Sequence, residues 1–342
     1  MKYRVLGRTG LKVSELCLGT MTFGTNFYGI AVVEQPSADA MVARALEAGI
    51  NFFDTADVYS YGESETVLGQ ALKNNQVERD KVVVATKVRS AMTEAATAGT
   101  GDVNNVGLSR QHIMAGVEQS LKRLGTDYID LYQVHGWDIL TPVQETLRAL
   151  EDLVRQGKVR YLGCSNWSAR HLMKAVYLAR ANGWAEFVSL QAYYSLVGRD
   201  LEHELLPLCR EEGLGILPWS PLSGGFLSGK YRRDNPNPEG ARRSGFQFPP
   251  IDEARGFDAV EALERIAKEK NASVAQVALA WLLAQPAVTS IIIGANKISQ
   301  LEDNLRAADL QLSPAEVEAL SATTAPAPQY PQWMIERQNE GR

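Results

Sequence analysis

The sequence predicts an α/β fold: a closed (β/α)8 TIM barrel with an N-terminal β-hairpin and long loops at its C-terminal face. Three observations carry this reading. Eight short apolar runs alternate with helix-like segments along most of the chain, the order required by a parallel sheet wrapped in helices. The runs are β-branched or nearly continuously apolar, as strands covered on both faces are. The two longest aperiodic segments follow the third and seventh runs, and barrel enzymes build their sites in such loops.

The elements follow in order. Residues 2–13 read as a hairpin that turns at Arg8-Thr9-Gly10 and closes the barrel bottom. Strands are expected at 15–18, 51–53, 82–85, 129–134, 159–163, 187–190, 215–218 and 289–293. Ser37 is expected to cap a helix that carries Ala40, Val42, Ala43, Ala45 and Leu46 and stops at Gly49. Ser109 opens a helix with Ile113, Val117, Leu121 and Leu124 at helical spacing, and Gly125 closes it. Pro142 suits the first turn of a helix that Gly157 ends, and Ser168 and Gly183 bracket the next helix. Residues 89–107 and 230–255 form the two long loops, and 23–35 is a third segment that shapes specificity. The tail, 325–342, has no clear periodicity; a segment folded over the site and a mobile one are both open. No linker, repeat or low-complexity tract divides the chain, so residues 1–342 read as a single barrel domain.

Composition narrows the function class. The chain has 342 residues, 45% hydrophobic and 22% charged, an ordinary balance for a globular protein. Its 35 basic and 40 acidic residues leave a net charge of −5, which argues against a nucleic-acid partner, since such proteins present basic surfaces. Cys17, Cys164 and Cys209 stand far apart with no CxxC spacing. Neither a metal site nor a disulfide framework is expected, and a reducing cytosol fits best. The N-terminus lacks the apolar core of a signal peptide, and no apolar run approaches the length of a membrane span. A cytoplasmic protein without a membrane partner is the expectation; the oligomeric state stays open.

Three runs end in ionisable groups. Asn51-Phe52-Phe53 leads into Asp54, with Tyr59 five residues on; Val82 to Thr86 leads into Lys87; Ile129 to Val134 leads into His135. On parallel neighbouring strands these four groups converge on one rim. A tyrosine, whose ordinary pKa is about 10, gives up its proton more readily beside a lysine cation. A carboxylate holds the lysine, and a neutral imidazole positions a substrate oxygen. Such a set suits an oxygen that gains negative charge, as a carbonyl does when it becomes an alcohol. Taken singly, Asp54 fits a rim ion pair or a helix cap, Lys87 a buried partner, His135 a satisfied rim histidine and Tyr59 a packing residue. Their convergence selects proton transfer. Phe23, Tyr28, Trp137 and Trp167, with Tyr59, read equally as an aromatic substrate pocket or as core and lid residues. His112, His171 and His203 read as surface residues, and Cys164 as a packing residue. Ser223-Gly224-Gly225, Lys230, Arg242 and Lys297 lie on the loops after the seventh and eighth runs, where barrels bind phosphate through backbone amides and cations. No GxGxxG follows a strand, so a Rossmann domain is not expected.

The residues resemble the aldo-keto reductases over nearly the whole chain, from Tyr3 to about Ala322. Gly19-Thr20-Met21, Asp54-Thr55-Ala56-Asp57-Val58-Tyr59, Thr86-Lys87, His135, Gly163-Cys164-Ser165-Asn166, Gln191, Trp219-Ser220-Pro221-Leu222 and Gln300-Leu301-Glu302-Asp303-Asn304 occur in the family's order. The style is nearest the branch of bacterial reductases and potassium-channel β subunits. The resemblance implies an NAD(P)H-dependent carbonyl reductase with Tyr59 as general acid, Lys87 as its partner, Asp54 paired to the lysine and His135 orienting the carbonyl. Gly19, Thr20, Met21, Asp54, Ser165, Asn166 and Gln191 would line the nicotinamide end. Trp219, Ser220, Pro221, Leu222, Gly224, Lys230 and Arg242 would cover the phosphates. Gly294, Ala295, Lys297, Gln300 and Asn304 would hold the adenosine end. Many family members carry arginine where Gln300 stands; Lys297 can supply that charge, so NADPH (NADP+) is expected, with NADH use possible. A coenzyme-sensing regulatory subunit with slow turnover and a barrel hydrolase are the alternatives.

Overall fold

The computed structural model describes residues 1–25, 27–30, 32–239 and 242–341. Asn26 and Ala31 of the loop at 23–35, Gly240 and Ala241 of the loop at 230–255, and Arg342 of the tail lie outside the described residues. The chain opens with an antiparallel pair, β1 (Tyr3–Val5) and β2 (Lys12–Ser14). Eight strands then form one parallel sheet: β3 (Leu16–Gly19), β4 (Phe52–Asp54), β5 (Val83–Val88), β6 (Ile129–Val134), β7 (Val159–Ser165), β8 (Phe187–Tyr193), β9 (Gly215–Trp219) and β10 (Ile291–Ile293). Neighbours run in the order β10-β3-β4-β5-β6-β7-β8-β9. A parallel bridge between Ile216 and Val288 joins the two ends, and Thr289 N–H donates to the Ile216 carbonyl at 2.8 Å. The result is the expected (β/α)8 barrel.

The helices are α1 (Gln35–Glu47), α2 (Glu63–Asn74), a short α3 (Glu94–Ala98), α4 (Arg110–Leu124), α5 (Val143–Arg155), α6 (Ala169–Asn182), α7 (Leu205–Glu212), α8 (Glu253–Lys270), α9 (Val274–Leu283), α10 (Ile298–Leu305), α11 (Pro314–Thr323) and α12 (Gln332–Asn339). Their ends obey local chemistry. The Ser109 hydroxyl accepts from His112 N–H at 3.2 Å, and Gly125 ends α4 in the left-handed region at φ 64°, where a residue with a Cβ is disfavoured. Ser313 and Glu316 form a capping box on α11.

Strand alternation sorts the core into two parts. Inside the barrel lie Cys17, Phe52, Val83, Ala85, Leu131, Leu217 and Ile292, floored by Leu6 and Val13 of the hairpin. The hairpin therefore plugs the N-terminal end. Between strands and helices lies a second, larger core. Period-two alternation then points Asp54, Lys87 and Gln133 into the barrel at its C-terminal end, beyond Phe52, Ala85 and Leu131 of the same strands.

Several boundaries differ from expectation. β5 runs on through Thr86, Lys87 and Val88, β7 through Ser165, and β8 through Tyr193. Polar residues inside the rim keep their ladder bonds, so apolar continuity ends before the strand does. Helix α1 starts at Gln35 with Pro36 in its first turn, so Ser37 is helical and Glu34 takes the cap position. The loop after β5 contains α3, capped by Thr93. The tail forms α12, which buries no residue. His112 is buried rather than on the surface, with 1% of its area exposed. It precedes Ile113 on the inward side of α4, and its Nδ1 bonds the Gly107 carbonyl at 2.8 Å, tying down the end of the long loop.

Candidate active site

Lys87 is the hub of the rim. It has no exposed surface, so its ammonium must be satisfied by the protein. Its Nζ donates to Asp54 Oδ1 at 2.5 Å and to the Thr55 carbonyl at 2.8 Å, and it stands 3.4 Å from Tyr59 Oη. Asp54 Oδ2 accepts from Gln133 Nε2 at 3.0 Å and Gln191 Nε2 at 2.9 Å. Gln191 also donates to Gln133 Oε1 at 3.1 Å. Both oxygens of Asp54 are thus committed, which fixes the carboxylate and through it the lysine.

The electrostatics follow from burial. Burial pulls Lys87 down, and Asp54 and Tyr59 together outweigh it, so the lysine pKa is raised and it stays an ammonium. Burial pushes the Tyr59 pKa up, and Lys87 offsets only part of this. The lysine thus acts in the expected direction, yet the net result is a phenol that keeps its proton in the free protein. Burial, then Lys87 and Arg89, hold the His135 pKa well below the usual range, so its imidazole is neutral. The Tyr59 and His135 rings meet edge-on, centroids 5.7 Å apart. His135 Nδ1 is out of solvent without a partner. The protein leaves this one imidazole atom for something else to satisfy.

Tyr59 reaches the rim because the chain turns sharply after it. Ser60 and Tyr61 take left-handed backbone at φ 48° and 51°, and Gly62 follows at φ 94° before α2 begins. Consecutive left-handed non-glycine residues are strained, by about 1–3 kcal/mol each, and such strain collects at functional sites. Hydroxyls hold the neighbouring segments together. Ser64 Oγ donates to the Thr20 carbonyl at 2.7 Å and lies 2.9 Å from Thr20 Oγ1 and 3.0 Å from Thr55 Oγ1. Behind them, buried Glu65 accepts from Thr86 Oγ1 at 2.5 Å and from Arg123 Nε at 2.6 Å.

The expected coenzyme residues lie around this centre and across the rim. Gly19 closes β3, and a Cβ there would stand 2.6 Å from Ile292 Cγ2. Thr20 and Ser165 are buried, and Met21 is half-buried. Asn166, left-handed at φ 57°, accepts from Trp219 Nε1 at 3.1 Å and donates to the His135 carbonyl at 3.4 Å. In the turn through Ser220, Pro221, Leu222 and Gly224, the amides of Ser223, Gly224 and Gly225 are already bonded within the turn. They do not form the open phosphate cradle expected from the sequence. Cations also stand on these loops. Arg242 Nε is buried without a partner, while its neighbour Arg243 is spent on the Ser223 and Pro249 carbonyls. Burial, with Arg243 beside it, lowers the Arg242 pKa. Lys230, Lys297 and Gly294 are exposed. Gln300 accepts from Asn296 N–H, Asn304 donates to the Gly294 carbonyl, and the Ala295 carbonyl takes the Thr22 hydroxyl.

The aromatic expectations divide. Phe23 has no exposed surface and belongs to the core, and Trp167 is 2% exposed beneath Trp137 and Phe187; neither offers a face to a ligand. Trp137 stacks on His171 at 3.7 Å. Tyr28 is exposed and stacks on Phe246 at 5.3 Å, joining the loops after β3 and β9. The ring that borders Tyr59 is Phe27, 5.5 Å away, which sequence reasoning missed. Gln133 was missed as well; its signal was a lone amide of inward parity in an apolar run. Cys164 is a buried packing residue, as expected.

Comparison with known proteins gives the family. The model of the "Aldo/keto reductase family" matches residues 15–324. The "Uncharacterized oxidoreductase YrpG" of Bacillus subtilis is 40% identical, over 91% of this chain and 92% of its own length. The versiconal hemiacetal acetate reductase of Aspergillus parasiticus is 34% identical, over 97% and 99%. A probable voltage-gated potassium channel subunit beta of Oryza sativa subsp. japonica is 37% identical, over 96% and 98%. No helix among the described residues is long and apolar enough to cross a membrane. The chain belongs to the aldo/keto reductase family, the oxidoreductases that act on small carbonyl compounds with an NAD(P)H nucleotide.

Proposed function

We propose that the protein reduces an aldehyde or ketone to its alcohol with NADPH, Tyr59 supplying the proton. One observation carries this reading: the Lys87 ammonium sits 2.5 Å from Asp54 and 3.4 Å from the Tyr59 hydroxyl, with a neutral imidazole edge-on to the same ring. The nicotinamide, when bound, supplies the hydride. Every other task falls to the chain. The His135 imidazole, having no charge to compete, orients the carbonyl oxygen as a neutral hydrogen-bonding group. As that oxygen gains charge it takes the Tyr59 proton. Lys87 then lies beside the new phenolate and stabilises it, worth roughly 10²–10⁴-fold as general acid catalysis. Asp54, pinned by Gln133 and Gln191, keeps the lysine in place.

Arg242, whose buried Nε has no hydrogen-bond partner among the described residues, and exposed Lys230 and Lys297 suit coenzyme phosphates, and the extra 2′-phosphate favours NADPH over NADH. A second reading, a nucleotide-binding regulatory subunit with slow turnover, rests on the likeness to the rice channel subunit. One experiment separates the two: titrate NADPH and NADH, then follow NADPH absorbance with a panel of aldehydes and ketones. The reductase reading expects tighter NADPH binding and multiple turnovers on at least one carbonyl. Tight NADPH binding without multiple turnovers on any carbonyl favours the regulatory reading.

A further inference from the structure

A cavity of about 730 Å3 lies between α4 and the loop that follows β5, and Tyr59, Lys87 and His135 do not line it. That volume is in the range of small-molecule sites. One wall is α4, through His112, Ala115 and Gly116; Asp57 lies within; Asp102 of the loop is at the exposed rim. Two lining residues are almost wholly buried and each has an unused atom. Asp57 is 1% exposed; its Oδ1 accepts from Val58 N–H at 2.6 Å, and its Oδ2 has no partner. His112 is 1% exposed; its Nδ1 faces the Gly107 carbonyl and so carries the proton, leaving Nε2 a bare acceptor without a partner. Buried polar atoms are nearly always paired, and two orphans lining one cavity mark a place where something binds.

The chemistry of the wall selects the ligand. The unused atoms are a carboxyl oxygen, which accepts once the group is ionised, and a nitrogen of an imidazole that burial keeps neutral. A second carboxylate, Asp102, stands at the rim. The one cation lining the cavity among the described residues, Arg123, is paired with Glu65 at 2.6 Å. Anions therefore meet no free positive charge. Met92, Val103, Ala115 and Gly116 give the walls short apolar stretches. We propose that this cavity is a second ligand site, which takes a primary ammonium on a short aliphatic body, with Asp57 and His112 as its buried acceptors. Burial and the Glu65 carboxylate raise the Asp57 pKa in the empty protein; an ammonium there supplies the missing charge and restores the carboxylate. The site also touches the active-site segment from behind, because Asp57 N–H donates to the Lys87 carbonyl at 3.3 Å and Tyr59 is two residues on.

The test is calorimetric titration of the full chain at pH 8 with n-butylammonium chloride, n-butanol and sodium butyrate. Butylammonium is expected to saturate a single site, with butanol and butyrate binding at least tenfold more weakly. Ala115→Phe, at an exposed helical position that lines the cavity, fills the space and should weaken butylammonium at least tenfold. Asp57→Asn should do the same. Absence of saturable binding to the folded wild-type chain, which would mean a hydrated cavity only, overturns the proposal. So does equal binding of butanol or butyrate, or butylammonium affinity unchanged in either folded variant.

Discussion

At the scale of single residues, the site works by setting burial against neighbouring charge. Lys87 and Tyr59 are both desolvated, and the Asp54 carboxylate decides between them: it keeps the proton on the lysine, and desolvation keeps the other on the phenol. The pH dependence has a definite sign. In the proposed reaction the donor is the protonated Tyr59 phenol, and its pKa is raised, so reduction should fall only as pH rises beyond the usual tyrosine range, ~10. The His135 pKa is depressed and its imidazole is already neutral, so no acid limb should appear near ~6.5, the usual histidine value. Initial rates of reduction between pH 5.5 and pH 11, at saturating coenzyme, check both; a limb near 6.5 would contradict the assignment of His135.

At the scale of elements, strand ends and one turn place the chemistry. Asp54, Lys87 and His135 were legible because each terminates an apolar run, and parity decides which way each faces. Gln133 and Phe27 were not: an amide within a strand and a phenylalanine in a loop carry no local signal of what they touch. The phosphate loop shows the converse. Ser223-Gly224-Gly225 has the composition of an anion cradle, but left-handed backbone at φ 52°, 66° and 91° turns those amides inward on the turn itself. The turn after Tyr59 is the most exacting element. Gly62 stands at φ 94°, and a Cβ there would meet Arg123 Cδ at 2.6 Å, on the side chain that pairs with Glu65. Gly62→Ala should therefore cost about 1–3 kcal/mol and lower activity by moving Tyr59. Chemical denaturation and steady-state rates measure the two effects together.

At the scale of the whole molecule, barrel closure brings four groups from three chain-distant strand ends onto one rim. The alternation of runs made this architecture readable, and eight strands were placed in order. Lengths were not, because the strands continue through polar residues at the rim. The bottom of the barrel serves stability instead. Leu6, with no exposed surface, fills the floor among Cys17, Phe52 and Leu131. Leu6→Ala should cost about 2–5 kcal/mol while leaving the rim geometry, and so the folded enzyme's kcat, nearly unchanged; a lowered denaturation midpoint with retained kcat is the expected pair of results. Fold and chemistry thus occupy opposite ends of one barrel. The central claim concerns the rim, and Tyr59→Phe tests it most directly, since the substitution removes one oxygen and little else. Single-turnover oxidation of bound NADPH by a carbonyl substrate should slow by at least ~10²-fold, with the NADPH dissociation constant nearly unchanged. Full-rate reduction by the Tyr59→Phe chain would contradict the account.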